Sequence, residues 1–243
     1  MSNFFTQIAE HAVFALEFAG IVFLFFLVAY VFEKIAKKKN GDTERILNTR
    51  TIAVIGMFSA IATILFLFEF TVPFAPPGIY KLDFSELPAL IGGFAFGPVA
   101  GVMIEFLKVL LKTLIKGTST AFVGELANFV IGASFVLPAS IIYRMKKTKV
   151  NALISCIVGT ILITIVGSAF NGIYLLPTFA AMFGMDMDSI IGMGTAVNSH
   201  ITDVTTFVCF AVAPLNLLKG AANSVITLFI YKPLSPIIKG NRH

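Results

Sequence analysis

Long hydrophobic runs, each closed by a polar, glycine or proline break, divide the chain into segments of helical length. The first covers residues 12–32 and is interrupted only by Glu17. The second, residues 51–68, carries Ala53, Gly56 and Ala60 at helical spacing. Such a stripe of small residues lets another helix approach closely, and spacing alone fits a partner and a neighbour in the same chain equally well. Residues 69–85 contain Pro73, Pro76, Pro77 and Gly78, which exclude a helix and predict a loop. Ser85 is placed to cap the next helix, with Pro88 in its first turn. That helix, residues 87–96, is about ten residues or roughly 15 Å, half a bilayer, so it must be tilted, extended by loop or buried among other helices. Beyond the Gly97-Pro98 break, runs follow at 99–115, 118–143 and 152–176, with Pro177 marking the stop of the last. Residues 178–199, rich in Gly and Met, read as an external loop or lid, and residues 201–231 as a final helix bent at Pro214.

Composition turns these helices into membrane spans. Hydrophobic residues make up 57% of the 243 and charged residues 13%, far from the roughly one quarter charged of soluble domains. A span takes roughly 20 apolar residues, so the chain holds about six or seven and no separate soluble catalytic domain. The net charge of +5 does not indicate nucleic acid, because the basic residues gather beside hydrophobic runs. Lys34, Lys37, Lys38, Lys39, Arg45 and Arg50 form one cluster, Arg144, Lys146, Lys147 and Lys149 a second, and Lys232, Lys239 and Arg242 a third. By the positive-inside rule all three are cytoplasmic, which leaves the N-terminus outside and the C-terminus inside. The first residues lack a basic n-region, and the run after them exceeds a signal-peptide core, so this helix is expected to be retained. Cys156 and Cys209 lie in apolar runs without metal-ligand spacing and read as packing residues.

Ionisable residues inside a bilayer cost several kcal/mol unless they face a cavity or a partner, so each calls for a reason. Glu105, Lys108 and Lys112 stand at i, i+3 and i+7 on one helix face; Glu105 and Lys108 can pair, while Lys112 and Lys116 lie where they can snorkel. No G-x-x-x-x-G-K-[ST] loop, HExxH or G-x-S-x-G occurs, and His11, His200 and His243 stand apart. Glu105 and Glu125 fall on adjacent helices but at different heights, which argues against an intramembrane hydrolase; no enzyme and no metal site is expected. What does converge, on the outer half of the membrane, is a polar set: Lys81 and Asp83 from the loop, Glu125 and Asn128, Asn171 and Tyr174, and Asn216 and Lys219. An apolar chamber with a few placed polar groups is the usual form of a small-molecule site. Carboxamides, each donor and acceptor, suit a neutral ligand rich in carbonyls, ring nitrogens and hydroxyls; the plain alternative is that they bond helix to helix.

Four stretches carry a resemblance: KLDFSELPALIGGFAFGPVAGVMIEFLK, STAFVGELANFVIGASFVLPASIIY, FNGIY and PLNLLKG, in that order. They resemble the substrate-binding S components of energy-coupling factor (ECF) vitamin transporters, of the riboflavin-specific (RibU) type, from about Arg50 to the C-terminus. The resemblance implies an all-α integral membrane protein with a six-helix S-component core at 50–243. Residues 1–49 depart from it, adding an N-terminal transmembrane helix and a basic cytoplasmic linker, which would obstruct movement, anchor a partner or simply ride along. It further implies riboflavin as transported ligand rather than cofactor, with Asn128, Asn171, Asn216 and Lys219 among its contacts and residues 69–85 as a gate. Ala53, Gly56 and Ala60 would face the transmembrane coupling subunit, and two cytoplasmic ATPase subunits would supply the hydrolysis that this chain has no motif for. FMN stays open as a ligand because Lys81, Lys112 and Lys116 near the outer mouth suit a phosphate. Another vitamin on the same scaffold, or a non-transporting adaptor that presents flavin, are the remaining alternatives.

Overall fold

The computed structural model of the chain describes residues 12–76 and 80–239. His11, Arg242, His243 and the first residues of the chain lie outside that range. The architecture is helical throughout, with one two-residue hairpin. Helix α1 (Ala12–Lys39) is followed by α2 (Thr49–Leu67), whose first turn is capped by Asn48 Oδ1 accepting from the Thr51 amide at 2.9 Å. The loop after α2 folds into antiparallel strands β1 (Phe70–Thr71) and β2 (Lys81–Leu82). Then come α3 (Glu86–Phe96), α4 (Pro98–Lys116), α5 (Val123–Met145) and α6 (Lys149–Phe170). Helices α7 (Leu176–Phe183), α8 (Met187–Thr195), α9 (Val204–Phe207) and α10 (Ala213–Lys239) complete the chain.

Among the described residues, five continuous helical stretches are long and apolar enough to cross a membrane: Leu16–Lys39, Thr49–Leu67, Val123–Met145, Lys149–Phe183 and Val204–Leu234. Helix α4 has spanning length but carries four charges, and α3 is too short. Burial resolves the α3 question, since nine of its eleven residues are buried. It is enclosed by α2, α4, α5 and α10, so its length never has to match a bilayer. Its Phe94 lies wholly inside, stacked on Tyr143 at 4.4 Å and edge-on to Tyr231, whose hydroxyl donates to the Phe94 carbonyl at 3.0 Å.

Two boundaries differ from the sequence expectation. Pro177 does not stop its helix: a wide π-helical turn at Asn171–Leu175 joins α6 directly to α7. A second such turn, Val208–Val212, joins α9 to α10. Each wide turn ends two residues before a proline, Pro177 and Pro214. The extra residue relieves the clash of the ring with the preceding turn and accounts for the amide it cannot donate, so the rod bends without breaking. The region predicted as a loop, residues 178–199, is accordingly mostly helical, formed by α7 and α8. It packs with the hairpin loop on a small apolar core that includes Ala75, Tyr80, Ile190, Ile201 and Phe207. Cys156 is buried as expected, but Cys209 is exposed on the outside of the second wide turn.

Helix α1 docks on α4 and α5. Phe25 meets Phe129, and Phe26 meets Phe106, both edge-on at 5.5 and 6.0 Å. Glu33 is 1% exposed, and its Oε2 accepts from the Val99 amide at 3.0 Å, at the N-terminus of α4. Gly97 makes room for that carboxylate: its φ is +115°, and a Cβ there would stand 2.4 Å from Glu33 Oε1. At the same end Asp42 bridges Lys37 at 2.9 Å and Arg144 of α5 at 2.8 Å. Burial pushes the Asp42 carboxyl up, but its hydrogen bond from Lys37 and the nearby cations hold it below the usual range.

Candidate functional site

At the end of the bundle opposite Arg144, the helices leave a cavity of about 240 Å³. Its floor and walls come from the C-terminal turns of α2 and α4, the N-terminal turns of α5 and α10, and the wide turn after α6. The hairpin loop closes one side. Of the eight residues expected to hold a ligand, Lys81, Asp83, Glu125, Asn128, Asn171, Asn216 and Lys219 line this cavity. Tyr174 does not. One residue of the wide turn separates it from the cavity-lining face, and it borders a second, membrane-side groove with Glu17 and Gly20 of α1.

The amides differ in what they have left to offer. Asn171 is fully engaged: its Nδ2 donates to the Gly167 carbonyl at 2.7 Å, and its Oδ1 accepts from the Tyr80 hydroxyl at 2.8 Å. It thus ties the hairpin loop to α6. Asn128 Nδ2 donates to the Gly124 carbonyl at 2.7 Å, leaving Oδ1 without a partner among the described residues. Asn216 is 5% exposed, and no hydrogen bond within the described residues engages its side chain. It lies against Gly167, where a Cβ would come within 2.6 Å of its Nδ2. A buried amide left with open donor and acceptor valences beside a cavity is costly unless something fills it.

Below the cavity the ionic residues form one network. Lys219 Nζ meets Asp83 Oδ2 at 3.0 Å and Glu86 Oε1 at 2.8 Å. Lys108 Nζ meets the same Glu86 oxygen at 3.0 Å, Glu105 Oε2 at 2.7 Å and Ser85 Oγ at 2.8 Å. The expected Glu105–Lys108 pair is therefore present, as one part of a network that also includes Glu86. Ser85 is not the helix cap that its position suggests; it makes no capping bond, and its hydroxyl is used by Lys108 instead. The network joins the segment after the hairpin to α3, α4 and α10. Since an unpaired buried charge costs several kcal/mol, these four elements hold a common position.

Glu69, just beyond α2, forms a second ion-pair latch. It meets Lys81 of β2 at 2.5 Å and Lys112 of α4 at 3.1 Å. Lys112 is not a snorkelling lysine, since its ammonium also sits 3.7 Å over the Phe66 ring. Burial pushes the Glu69 carboxyl up, but Lys81 and Lys112 hold it below the ordinary carboxylate range. Glu125 accepts from Thr118 and Thr120 hydroxyls at 3.0 and 3.1 Å. Glu69 and Tyr80, from the segment expected as a gate, and Lys112, expected near the mouth, also line the cavity, as does Thr120, which the sequence had not singled out. Among the described residues there is no cluster of His, Cys, Asp or Glu with the arrangement of a metal site.

Comparison with known proteins identifies the family. Residues 50–231 match the family described as the substrate-specific component of ECF transporters. The riboflavin transporter RibU of Staphylococcus aureus is 35% identical over 190 residues, covering 78% of this chain and 93% of that protein. The riboflavin transporter FmnP of Bacillus subtilis is 30% identical over 197 residues, covering 81% and 97%. A solved S component of a bacterial ECF transporter superposes with a TM-score of 0.59 at 34% identity, covering 78% of this chain and 97% of that one. With its apolar spanning helices and its polar end cavity, this chain belongs to the family of substrate-specific components of ECF transporters.

Proposed function

We propose that this chain is the riboflavin-binding subunit of an ATP-driven ECF importer. It takes the vitamin at the outer face of the cell membrane and releases it to the cytoplasm together with a coupling subunit and two ATPase subunits. The observation that carries the reading is the cavity whose buried Asn216 and half-buried Asn128 retain open amide valences, in a chain whose relatives are named as riboflavin transporters. The flat ring of a flavin would lie on the apolar walls while the amides address its carbonyls and ring nitrogens. Lys219 has three ammonium protons and spends two on Asp83 and Glu86, so one remains for ligand. At about 240 Å³ the cavity lies just under the roughly 300 Å³ where small-molecule sites begin.

Orientation follows from the basic clusters, which put the Asp42 and Arg144 end in the cytoplasm and the cavity and N-terminus outside. The stripe on α2 serves the coupling subunit: Ala53, Gly56 and Ala60 are all exposed, and nothing lies within 4 Å of a Cβ built at Gly56. Residues 1–49 form an added unit beside the 50–243 core, and ATP hydrolysis is left to separate subunits. The deciding experiment is purification in detergent followed by an absorption spectrum and a riboflavin titration. A yellow, fluorescent protein or tight binding is expected; a colourless protein that ignores added riboflavin would overturn the reading. Uptake restored in a riboflavin auxotroph only when the coupling subunits are co-expressed separates transport from mere presentation of flavin.

A further inference from the structure

The membrane-side groove that Tyr174 borders is separate from the end cavity and has its own chemistry. Glu17, Gly20, Ile21 and Leu24 of α1 stand at i, i+3, i+4 and i+7, so they share one helix face. With Leu126 of α5, and Phe170 and Tyr174 at the end of α6 and in its wide turn, they line a groove of about 360 Å³. That volume falls within the roughly 300–1,000 Å³ of small-molecule sites. Gly20 keeps the groove open, since it is exposed and nothing lies within 4 Å of a Cβ built there. Leu24 is 56% exposed on the same face. Glu17 is the charged member of the lining; it is exposed and makes no hydrogen bond or ion pair among the described residues.

The depth of that carboxylate decides what meets it. Seventeen residues along α1 separate Glu17 from Lys34 at the basic end, about 25 Å of helix. Glu17 therefore stands at the outer edge of a hydrocarbon core roughly 30 Å thick, at the level of lipid headgroups, with the apolar part of the groove running inward below it. A carboxylate at that boundary is stabilised by a cation and repels an anionic headgroup. A primary ammonium brings three donors and the opposite charge, whereas a quaternary ammonium brings charge without a donor. We propose that this groove binds a membrane lipid with a primary-amine headgroup, a phosphatidylethanolamine, its ammonium on Glu17 and an acyl chain along Ile21, Leu24 and Phe170. The lipid fills the seam between the added helix α1 and the wide turn after α6. The assignment needs only the bilayer position of α1 and is independent of what the end cavity holds.

The test takes the purified full chain in detergent, stripped of lipid, and offers it equal amounts of phosphatidylethanolamine and phosphatidylglycerol with the same acyl chains. Native mass spectrometry counts which lipid stays on the protein, and a parallel run offers phosphatidylcholine against phosphatidylethanolamine. The wild-type chain is expected to retain one phosphatidylethanolamine in preference to phosphatidylglycerol by about three- to fivefold, the size of one partly exposed charge pair. Glu17→Gln, which keeps the shape and removes the charge, is expected to bring the two lipids within about 1.5-fold of each other. Gly20→Phe, which fills the groove, is expected to lose the retained lipid altogether. Both positions are exposed, so both variants should keep the fold, checked by their melting in detergent without lipid. Equal retention of phosphatidylglycerol or of phosphatidylcholine by the wild-type chain would overturn the proposal. So would a preference that survives Glu17→Gln, or a lipid that Gly20→Phe does not release.

Discussion

Single side chains at the cavity divide into those whose polar atoms are still open and those already spent within the protein. Asn216 belongs to the first kind, since its amide is buried and unengaged. Asn216→Ala is expected to weaken riboflavin binding by about 1–3 kcal/mol with little loss of folded protein, checked by calorimetric titration. Unchanged affinity would assign it to helix contacts alone. Asn171 belongs to the second kind, because both ends of its amide are spent on Gly167 and Tyr80. Asn171→Ala should therefore speed ligand release more than it slows capture, which stopped-flow fluorescence resolves. Glu69 supplies the pH dependence. Its folded carboxyl is held below the ordinary range, so the latch is fully formed at neutral pH and is lost as pH falls through that lowered value. Ligand release should accelerate only below about pH 4, and Glu69→Gln should show the fast release already at neutral pH.

At the scale of elements, α1 is anchored by features of the core that fit it. Glu33 reaches the N-terminus of α4 only because Gly97 has no side chain, and Arg144 of α5 receives Asp42 of the linker. Anions at a helix N-terminus are favoured by the exposed amides and the helix dipole. Gly97→Ala would both expel the carboxylate and strain a left-handed backbone. It is expected to cost about 1–3 kcal/mol and to reduce disulfide crosslinking between cysteines placed on α1 and α5. Crosslinking at the wild-type level would show that Glu33 does not hold the helix. The two wide turns act at this scale as well. They pack on each other, with Val208 Cγ2 only 3.2 Å from where a Gly172 Cβ would stand. Asn171, in the first of them, and Asn216, four residues after the second, line the same cavity.

For the whole molecule, the cavity and the small-residue stripe lie on separate surfaces, and α1 covers neither. Binding and assembly should therefore separate by mutation. Ala60→Phe is expected to leave riboflavin affinity within about twofold and to reduce co-purification with the coupling subunits, because close helix approach depends on a small side chain. Retained complex would remove the stripe from the interface.

What the sequence determined by itself was whatever follows from local pattern. Hydrophobic runs marked the helices, basic clusters paired their ends, and seven of the eight expected ligand residues do line one cavity. The five of them on helices were readable because a charged or amide side chain in an apolar helix needs a partner or a cavity, wherever the helix lies. Tertiary structure decided the rest. Whether Pro177 ends a helix depends on the wide turn before it, and whether Ser85 caps one depends on Lys108 arriving from α4. Tyr174 left the site because the wide turn rotates it toward α1. Lys81 and Lys112, which looked free for phosphate, share the Glu69 carboxylate. Ion pairs of this kind form between segments far apart in the chain, so local spacing does not reveal which charges are spent and which remain available to a ligand.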